Sequence, residues 1–271
     1  MNNEPLVSVI MATFNEPERF IKDSINSILN QTYHNLELLI ADDSSKDVTI
    51  RAIDECEASD NRVKVIRKEQ RMGFVKALNI ALKEAKGTYI ARMDGDDVAV
   101  PERFEKQVSY LEKHPEVDVL GGAMNIQNED SVITSTRYYP SGGFKLLSWM
   151  SLRDPVGHPT VMFRRRVIDN GLLYDETMNK GCEDTEFWFR LRNNGYKIAN
   201  LLEPLVNYRI TVDMATKREK DNKANYIARK KNFSGNYFIL DCISLASIKL
   251  RMILPDSFIS WLYSKENKQK Y

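Results

Sequence analysis

A chain of 271 residues is long enough for one large α/β domain with a modest extension, and at 42% hydrophobic and 28% charged it is neither a disordered nor a bilayer-spanning sequence. The formal net charge of +1 implies no strong polyanion partner, and no nucleic acid is expected. Three scattered cysteines, Cys56, Cys182 and Cys242, exclude a disulfide framework and point to a reducing, cytoplasmic setting, and the polar Met1–Pro5 stretch predicts no secretory signal.

The first hundred residues alternate strand and helix patterns. Leu6 to Thr13 is a continuous apolar run, as expected of a strand buried on both faces. Pro17 opens a helix with Phe20, Ile21, Ile25 and Ile28 at helical spacing. Strands are expected over Leu36 to Ala41, Arg62 to Ile66 and Thr88 to Met93. Helices are expected from near Asp47 and over Gly73 to Ala85, the latter closed by Gly87 as its C-cap. This alternation predicts a mainly parallel sheet flanked by helices. Farther on, Pro101 to Lys113 reads as a helix, Asp118 to Met124 as a strand and Val132 to Tyr139 as an edge strand. Phe144 to Leu152 reads as a short helix, Val161 to Phe163 as a short strand and Arg164 to Asn170 as another short helix. Asp184 to Asn194 is a helix closed by Gly195, followed by two strands, Tyr196 to Leu201 and Leu205 to Tyr208. Thr211 to Phe233 reads as a basic helix, and Tyr237 to Leu254 as an amphipathic one stopped by Pro255.

Four constellations carry chemistry. Asp94, Asp96 and Asp97 follow directly on the fourth strand, and ligands of open α/β sheets bind beyond the carboxyl ends of strands. Acids this close repel unless a cation balances them. Their hard oxygens suit Mg²⁺ or Mn²⁺, with substrate phosphates completing the shell. The alternative is a solvated acidic loop. Asp42 and Asp43 end the second strand, where a carboxylate can accept from a base N–H or a ribose hydroxyl, or simply build a capping turn. Asp184, with Glu183 beside it, reads either as a general base at a helix start or as the N-cap of that helix. A lone histidine such as His158 is usually structural or on the surface, but its flanking Gly157 and Pro159 mark a loop and lean it somewhat toward a site role.

Together these stretches resemble the family 2 inverting glycosyltransferases of the GT-A nucleotide-sugar-binding fold, of the bacterial exopolysaccharide and O-antigen type. The matching segments are Val7 to Asn15, Ile28 to Thr32, Glu37 to Ser45, Gly87 to Asp97, Pro101 to Phe104, His158 to Arg164 and Glu183-Asp184. The resemblance covers residues 5 to 210 and implies a catalytic domain over 1–210 with a helical extension over 211–271. It also implies transfer from a nucleotide-sugar donor, most often a UDP-sugar, to a saccharide acceptor carried on a lipid such as undecaprenyl diphosphate. By residue it implies base binding by Asp43 with the backbone of Ala12, Thr13 and Phe14. Asp96 becomes the direct metal ligand, Asp94 a ribose or metal-water partner, and Asp184 the catalytic base, with Glu183 and His158 near the donor. Relatives carry Asn-x-Gly before the third helix where this chain has Arg71-Met72-Gly73, which assigns Arg71 to the donor and leaves the donor's identity open.

Two rival readings stand beside this one. Asp94-Gly95-Asp96-Asp97-Val98 locally matches the nucleophile motif of haloacid dehalogenase phosphatases, but three strand-helix units precede it. A non-catalytic protein on the same fold is the other, and the presence of Asp43, Asp94, Asp96 and Asp184 speaks against it. The tail, from Thr211 on, holds 12 Lys and Arg against 6 Asp and Glu. Ile239, Ile243, Ala246, Leu250 and Ile253 share one helix face there, interrupted by Asp241 and edged by Lys249 and Arg251. Phe258, Ile259, Trp261, Leu262 and Tyr263 follow. No apolar run is long enough to span a bilayer. The tail is therefore expected to hold the protein peripherally on the inner face of the cell membrane, the alternatives being packing on the catalytic domain or a homodimer contact.

Overall fold

The computed structural model describes residues 4–178, 181–210 and 218–254. Strands β1 (Val7–Thr13), β2 (Leu36–Asp42), β3 (Val63–Ile66) and β4 (Tyr89–Asp94) lie in the order β3-β2-β1-β4, all parallel. Every residue of β1 is buried because the sheet is covered on both faces. Val7, Val9 and Met11 face helices α1 (Glu18–Leu29), α2 (Asp47–Ser59) and α4 (Arg103–Lys113), whose Ile25, Ile53 and Phe104 complete that core. Ile10 and Ala12 face the opposite core, filled by Leu78 of α3 (Phe74–Glu84) and by Phe187 and Phe189 of α7 (Glu183–Asn193).

The second half is mixed rather than parallel. β8 (Met162–Arg164) runs antiparallel to both β4 and β6 (Val119–Gln127), and β9 (Ile198–Arg209) runs parallel to β6. The sheet order continues β4-β8-β6-β9-β5, with β7 (Ile133–Arg137) on the edge of β6. β5 (Val98–Ala99) is too short to leave a periodic signal, yet it pairs with Asn207 and Val206 of β9 and anchors the chain leaving β4. The two expected strands over 196–208 are one. Its register against β6 slips between Gly122 and Met124, opposite Pro204, which has no N–H to give to a ladder.

Gly87 is not a helix cap. The C-cap of α3 is Ala85, in extended backbone. A Cβ at Gly87 would lie 2.5 Å from the Ser8 backbone nitrogen and 2.7 Å from the Leu6 carbonyl, so the position is glycine because β1 passes against it. Gly195, by contrast, follows the C-cap of α7 with φ of 80°, as expected.

α5 (Gly143–Met150) and α6 (Arg166–Asp169) join α7 on the second face. α8 (Arg218–Lys231) and α9 (Phe238–Ile253) then pack against α7 and the end of α5. Ala228 and Ile248 are buried in the contact, and polar pairs join them. Arg192 of α7 pairs with Asp241 at 2.8 Å, both buried, and Arg229 donates to the carbonyls of Met150 and Ser151 at 3.0 and 3.1 Å. Asp241 thus does not interrupt the apolar face of α9. It lies on the opposite, inward face, because a buried arginine waits there. Arg251 likewise turns inward and donates to the Leu152 carbonyl. Residues 211–217 of the expected basic helix, and the aromatic run from Phe258 to Tyr263, lie outside the described residues.

Candidate active site

The carboxyl ends of β1, β2 and β4 and the first turn of α7 surround one cleft. At the β1–β2 end, the Thr13 hydroxyl donates to Asp42 at 3.0 Å, and Arg67 pairs with the same buried carboxylate at 2.8 Å. Burial pushes Asp42 up, but hydrogen bonds from Ser44, Arg67 and Thr13 outweigh it and hold the carboxyl below its ordinary value. Asp43 accepts from the backbone N–H groups of Met72 and Gly73 at 2.8 and 2.6 Å. It thereby fixes the loop that opens α3, where Gly73 has φ of 77°. That loop carries Arg71, whose guanidinium stacks over the Phe14 ring at 3.7 Å. Phe14 is 43% exposed, so the pair forms a flat cationic shelf at the mouth of the cleft.

At the β4 end Asp94 closes the strand, and both its oxygens take the guanidinium of Arg92. Burial and the neighbouring Asp94 push Asp96 up to about 6. Asp97 is fully buried and pushed well up by burial and by both neighbouring acids. One of its oxygens accepts from the Arg209 N–H at 2.8 Å, while the other has no partner among the described residues. Arg209 braces the whole turn. Its Nε donates to the Asp96 carbonyl at 2.9 Å, its Nη1 reaches the Glu129 carbonyl at 3.1 Å, and it stacks over Phe20 at 4.0 Å. Glu16, on the loop after β1, holds the Phe14 N–H at 2.8 Å, and burial followed by Asp96 and Asp94 pushes it up to about 7.

Across the cleft, Gly181 and Cys182 take φ of 108° and 61° and swing the chain into α7. The N-cap of α7 is Cys182, so Asp184 is not the cap. It lies within the first turn, where one oxygen accepts from the Thr185 N–H at 2.7 Å. Burial, then Asp154 and Glu183, push its carboxyl well above the ordinary range, while Arg92 pulls it back. Glu183 is raised too, mainly by burial. Asp154 takes the Thr185 hydroxyl at 2.7 Å and so stands beside Asp184. The guanidinium of Arg92 therefore acts on carboxyls at both walls, Asp94 and Asp96 on one side and Glu183 and Asp184 on the other.

His158 departs from its expected setting. It occupies a buried single turn rather than an open loop, 2.7 Å from the Tyr174 hydroxyl and edge-on to Trp188. Burial and Arg92 push its pKa well down, so the ring is neutral. Its flanking Gly157 has a packing cause, since a Cβ there would lie 2.6 Å from the Met124 sulfur.

Glu16, Arg92, Asp154 and Arg209 are absent from the residues singled out in the sequence. Arg92 had a signal, a charged residue inside the otherwise apolar run Tyr89 to Met93, and Arg209 ends a strand in the same way. Glu16 and Asp154 are ordinary loop acids until the fold brings them in.

The residues fit a divalent cation of the hard, oxygen-seeking kind. Asp96 is half-buried and raised by burial and by Asp94, Asp97 is fully buried and raised by both, and one Asp97 oxygen is unpartnered among the described residues. Among the described residues no three His, Cys, Asp or Glu side chains gather as a ready-made ion site.

The family model for glycosyl transferase family 2 matches residues 8–173. The chain is 35% identical over 209 residues to an O-antigen biosynthesis glycosyltransferase, WbnJ, of Escherichia coli, covering 76% of this chain and 80% of that one. It is 40% identical over 128 residues to a second E. coli protein, WfgD, a UDP-Glc:α-D-GlcNAc-diphosphoundecaprenol β-1,3-glucosyltransferase, covering 47% of this chain and 49% of the relative. Among solved structures, S. aureus TarS 1–349 in complex with UDP-GlcNAc superposes with a TM-score of 0.66 at 23% identity. That match covers 83% of this chain and 66% of TarS 1–349, a likeness of fold.

Proposed function

Because the chain belongs to glycosyl transferase family 2, we propose that it moves a sugar from a nucleoside diphosphate sugar, a UDP-sugar, onto a hydroxyl of a lipid-linked saccharide with inversion at the anomeric carbon, in the building of a bacterial surface polysaccharide. One observation carries this reading: the strand-end acids and the helix-start acids gather around one buried guanidinium, Arg92, which pairs with Asp94 and acts on Asp96, Glu183 and Asp184. The names of WbnJ and WfgD support the polysaccharide, the UDP-sugar and the diphosphoundecaprenol-linked acceptor. The phosphatase reading loses its ground, since the acidic motif closes the fourth strand of a family 2 domain.

In this reading residues 1–210 are the catalytic unit and 211–271 the extension. Phe14 and Arg71 stack on the base, Asp43 accepts from it, and the backbone of Ala12 and Thr13 lines the same wall. Asp96 holds Mg²⁺ or Mn²⁺, with Asp94 oriented beside it by Arg92. The ion, when bound, supplies positive charge to the departing diphosphate, an effect of several kcal/mol. Asp184 accepts the proton of the acceptor hydroxyl as its oxygen bonds to the anomeric carbon and the bond to the diphosphate oxygen breaks. A positioned base of this kind contributes about 10²–10⁴-fold. Burial raises the proton affinity of Asp184, which suits it to take a proton, and Arg92 keeps that affinity from rising further. Glu183 stands near the donor, and Asp154 stands beside Asp184 through the Thr185 hydroxyl. Neutral His158 supports Tyr174 and Trp188 beneath α7. Incubation with a panel of UDP-sugars, Mn²⁺ and a diphospho-lipid-linked saccharide tests the reading. Transfer with the opposite anomeric configuration in the product is expected, and donor hydrolysis without transfer to any saccharide would reject it.

A further inference from the structure

We propose that the outward face of α9 is a docking surface for an anionic lipid bilayer, placed so that an acceptor held in that bilayer meets the Asp184 side of the cleft. This rests on the transferase reading only for the second half; the docking surface stands on its own geometry.

α9 turns a mixed side inward, Asp241, Ser244 and Ile248, and leaves most of its apolar residues outside. Asp241 and Ser244, buried at the domain contact, bind Arg192 and Arg229, and Ser247 on the same flank donates to the Ser151 carbonyl at 3.1 Å. The apolar side points to solvent, with Ile239 73%, Leu250 55% and Ile253 80% exposed and Phe238, Ile243 and Met252 exposed around them. A helix docking only to its own domain would bury these residues instead, at roughly 25 cal/mol for each Å² of apolar surface removed from water. Lys249 is the one charged residue on the exposed half-cylinder of α9.

The charge beside this face selects the occupant. Lys249 lies over the Tyr226 ring of α8 at 5.6 Å. Lys223 and Lys230, both exposed, stand three and four residues from Tyr226 and so share its side of α8. Three lysines thus flank an apolar strip, the pairing that binds acyl chains and anionic headgroups together. No helix of the described residues is long and apolar enough to cross a membrane, so the contact is made lying flat.

The strip also has a direction. At its C-terminal end Arg251 and Ser247 bind the backbone of Leu152 and Ser151. That loop runs on to Asp154, which holds the Thr185 hydroxyl next to Asp184. Leu152 is itself 44% exposed and continues the apolar surface toward the cleft.

Flotation of the full-length protein on vesicles of phosphatidylglycerol and phosphatidylcholine, against phosphatidylcholine alone, is the test. Binding to the anionic vesicles is expected, weakened by salt. The Ile239→Glu/Ile253→Glu variant should lose it by about tenfold or more. Each of Lys223→Gln, Lys230→Gln and Lys249→Gln should lower partition by about fivefold. All four variants should keep the Mn²⁺-dependent affinity for UDP, which shows that they fold. No binding of the wild type at low salt, or undiminished binding by the Ile239→Glu/Ile253→Glu variant, overturns the proposal. So does a concentration-dependent dimer in light scattering that the same variant abolishes, since the face then belongs to a second copy. Flotation without any UDP affinity would reject the transferase reading and leave the docking surface standing.

Discussion

At the scale of single residues, the site is a balance between buried or half-buried acids and the buried arginines Arg92 and Arg209. Asp184 is the test of its chemistry. Since Cys182 and not Asp184 caps α7, Asp184→Asn removes no cap; it keeps an oxygen for the Thr185 N–H and loses only the ability to take a proton. Transfer should fall by about 10²-fold or more with UDP affinity unchanged, measured by steady-state kinetics beside calorimetry. Normal turnover in that variant would leave Asp184 a purely structural acid. The strand-end acids make a separate prediction about stability. Glu16 near 7 and Asp96 near 6 hold protons in the folded protein that the unfolded chain, with ordinary carboxyl values, has already released. Native protein therefore binds more protons across about pH 4–7, and stability must fall as pH rises through that window. Melting followed in EDTA should show this decline, and Glu16→Gln and Asp96→Asn should each flatten it. An unchanged slope in both variants would mean that the cluster is already compensated. Mn²⁺ added with UDP should reduce the decline in the parent protein, because the cation offsets the same repulsion.

At the scale of elements, buried polar pairs join the two C-terminal helices to the domain beside the apolar contacts of Ala228 and Ile248. Asp241→Ala leaves Arg192 buried at 3% exposure without its carboxylate, a change that costs about 3–5 kcal/mol where a buried pair is broken from one side. Urea unfolding should show that loss. Arg192→Met/Asp241→Leu should recover much of it, since a well-packed apolar pair can replace a buried ion pair at little cost. Equal damage in single and double variants would mean that the pair does not act as a unit. Gly87 makes the corresponding point for strands. Gly87→Ala drives a methyl into the backbone of Ser8 and Leu6, which cannot yield without shifting β1, so destabilisation should exceed the 1–3 kcal/mol typical of overpacking.

At the scale of the whole molecule, donor, metal and fold form one linked system. A nucleotide present at 100 times its dissociation constant should raise stability by about 2.7 kcal/mol, and EDTA should abolish that gain if Asp96 holds the ion between protein and diphosphate. Thermal melts of a nucleotide-sugar panel with and without Mn²⁺ measure both effects, and an equal shift in EDTA would remove the ion from donor binding. The sequence by itself determined the frame of this molecule. Buried runs such as Val7 to Thr13, helical spacing such as Ile21, Ile25 and Ile28, and the placing of Asp43 and Asp94 at strand ends are local patterns, because a residue's neighbours in the chain are its neighbours in a strand or helix. Only the tertiary structure decided the rest. The pairing of the last strands around Pro204, the seat of His158 under Tyr174, and the inward turn of Asp241 depend on partners tens of residues away. So does the gathering of Glu16, Arg92, Asp154 and Arg209 around the cleft. A charge in the chain carries no mark of its partner until folding removes the water between them, and at that point geometry, not sequence distance, sets which charges meet.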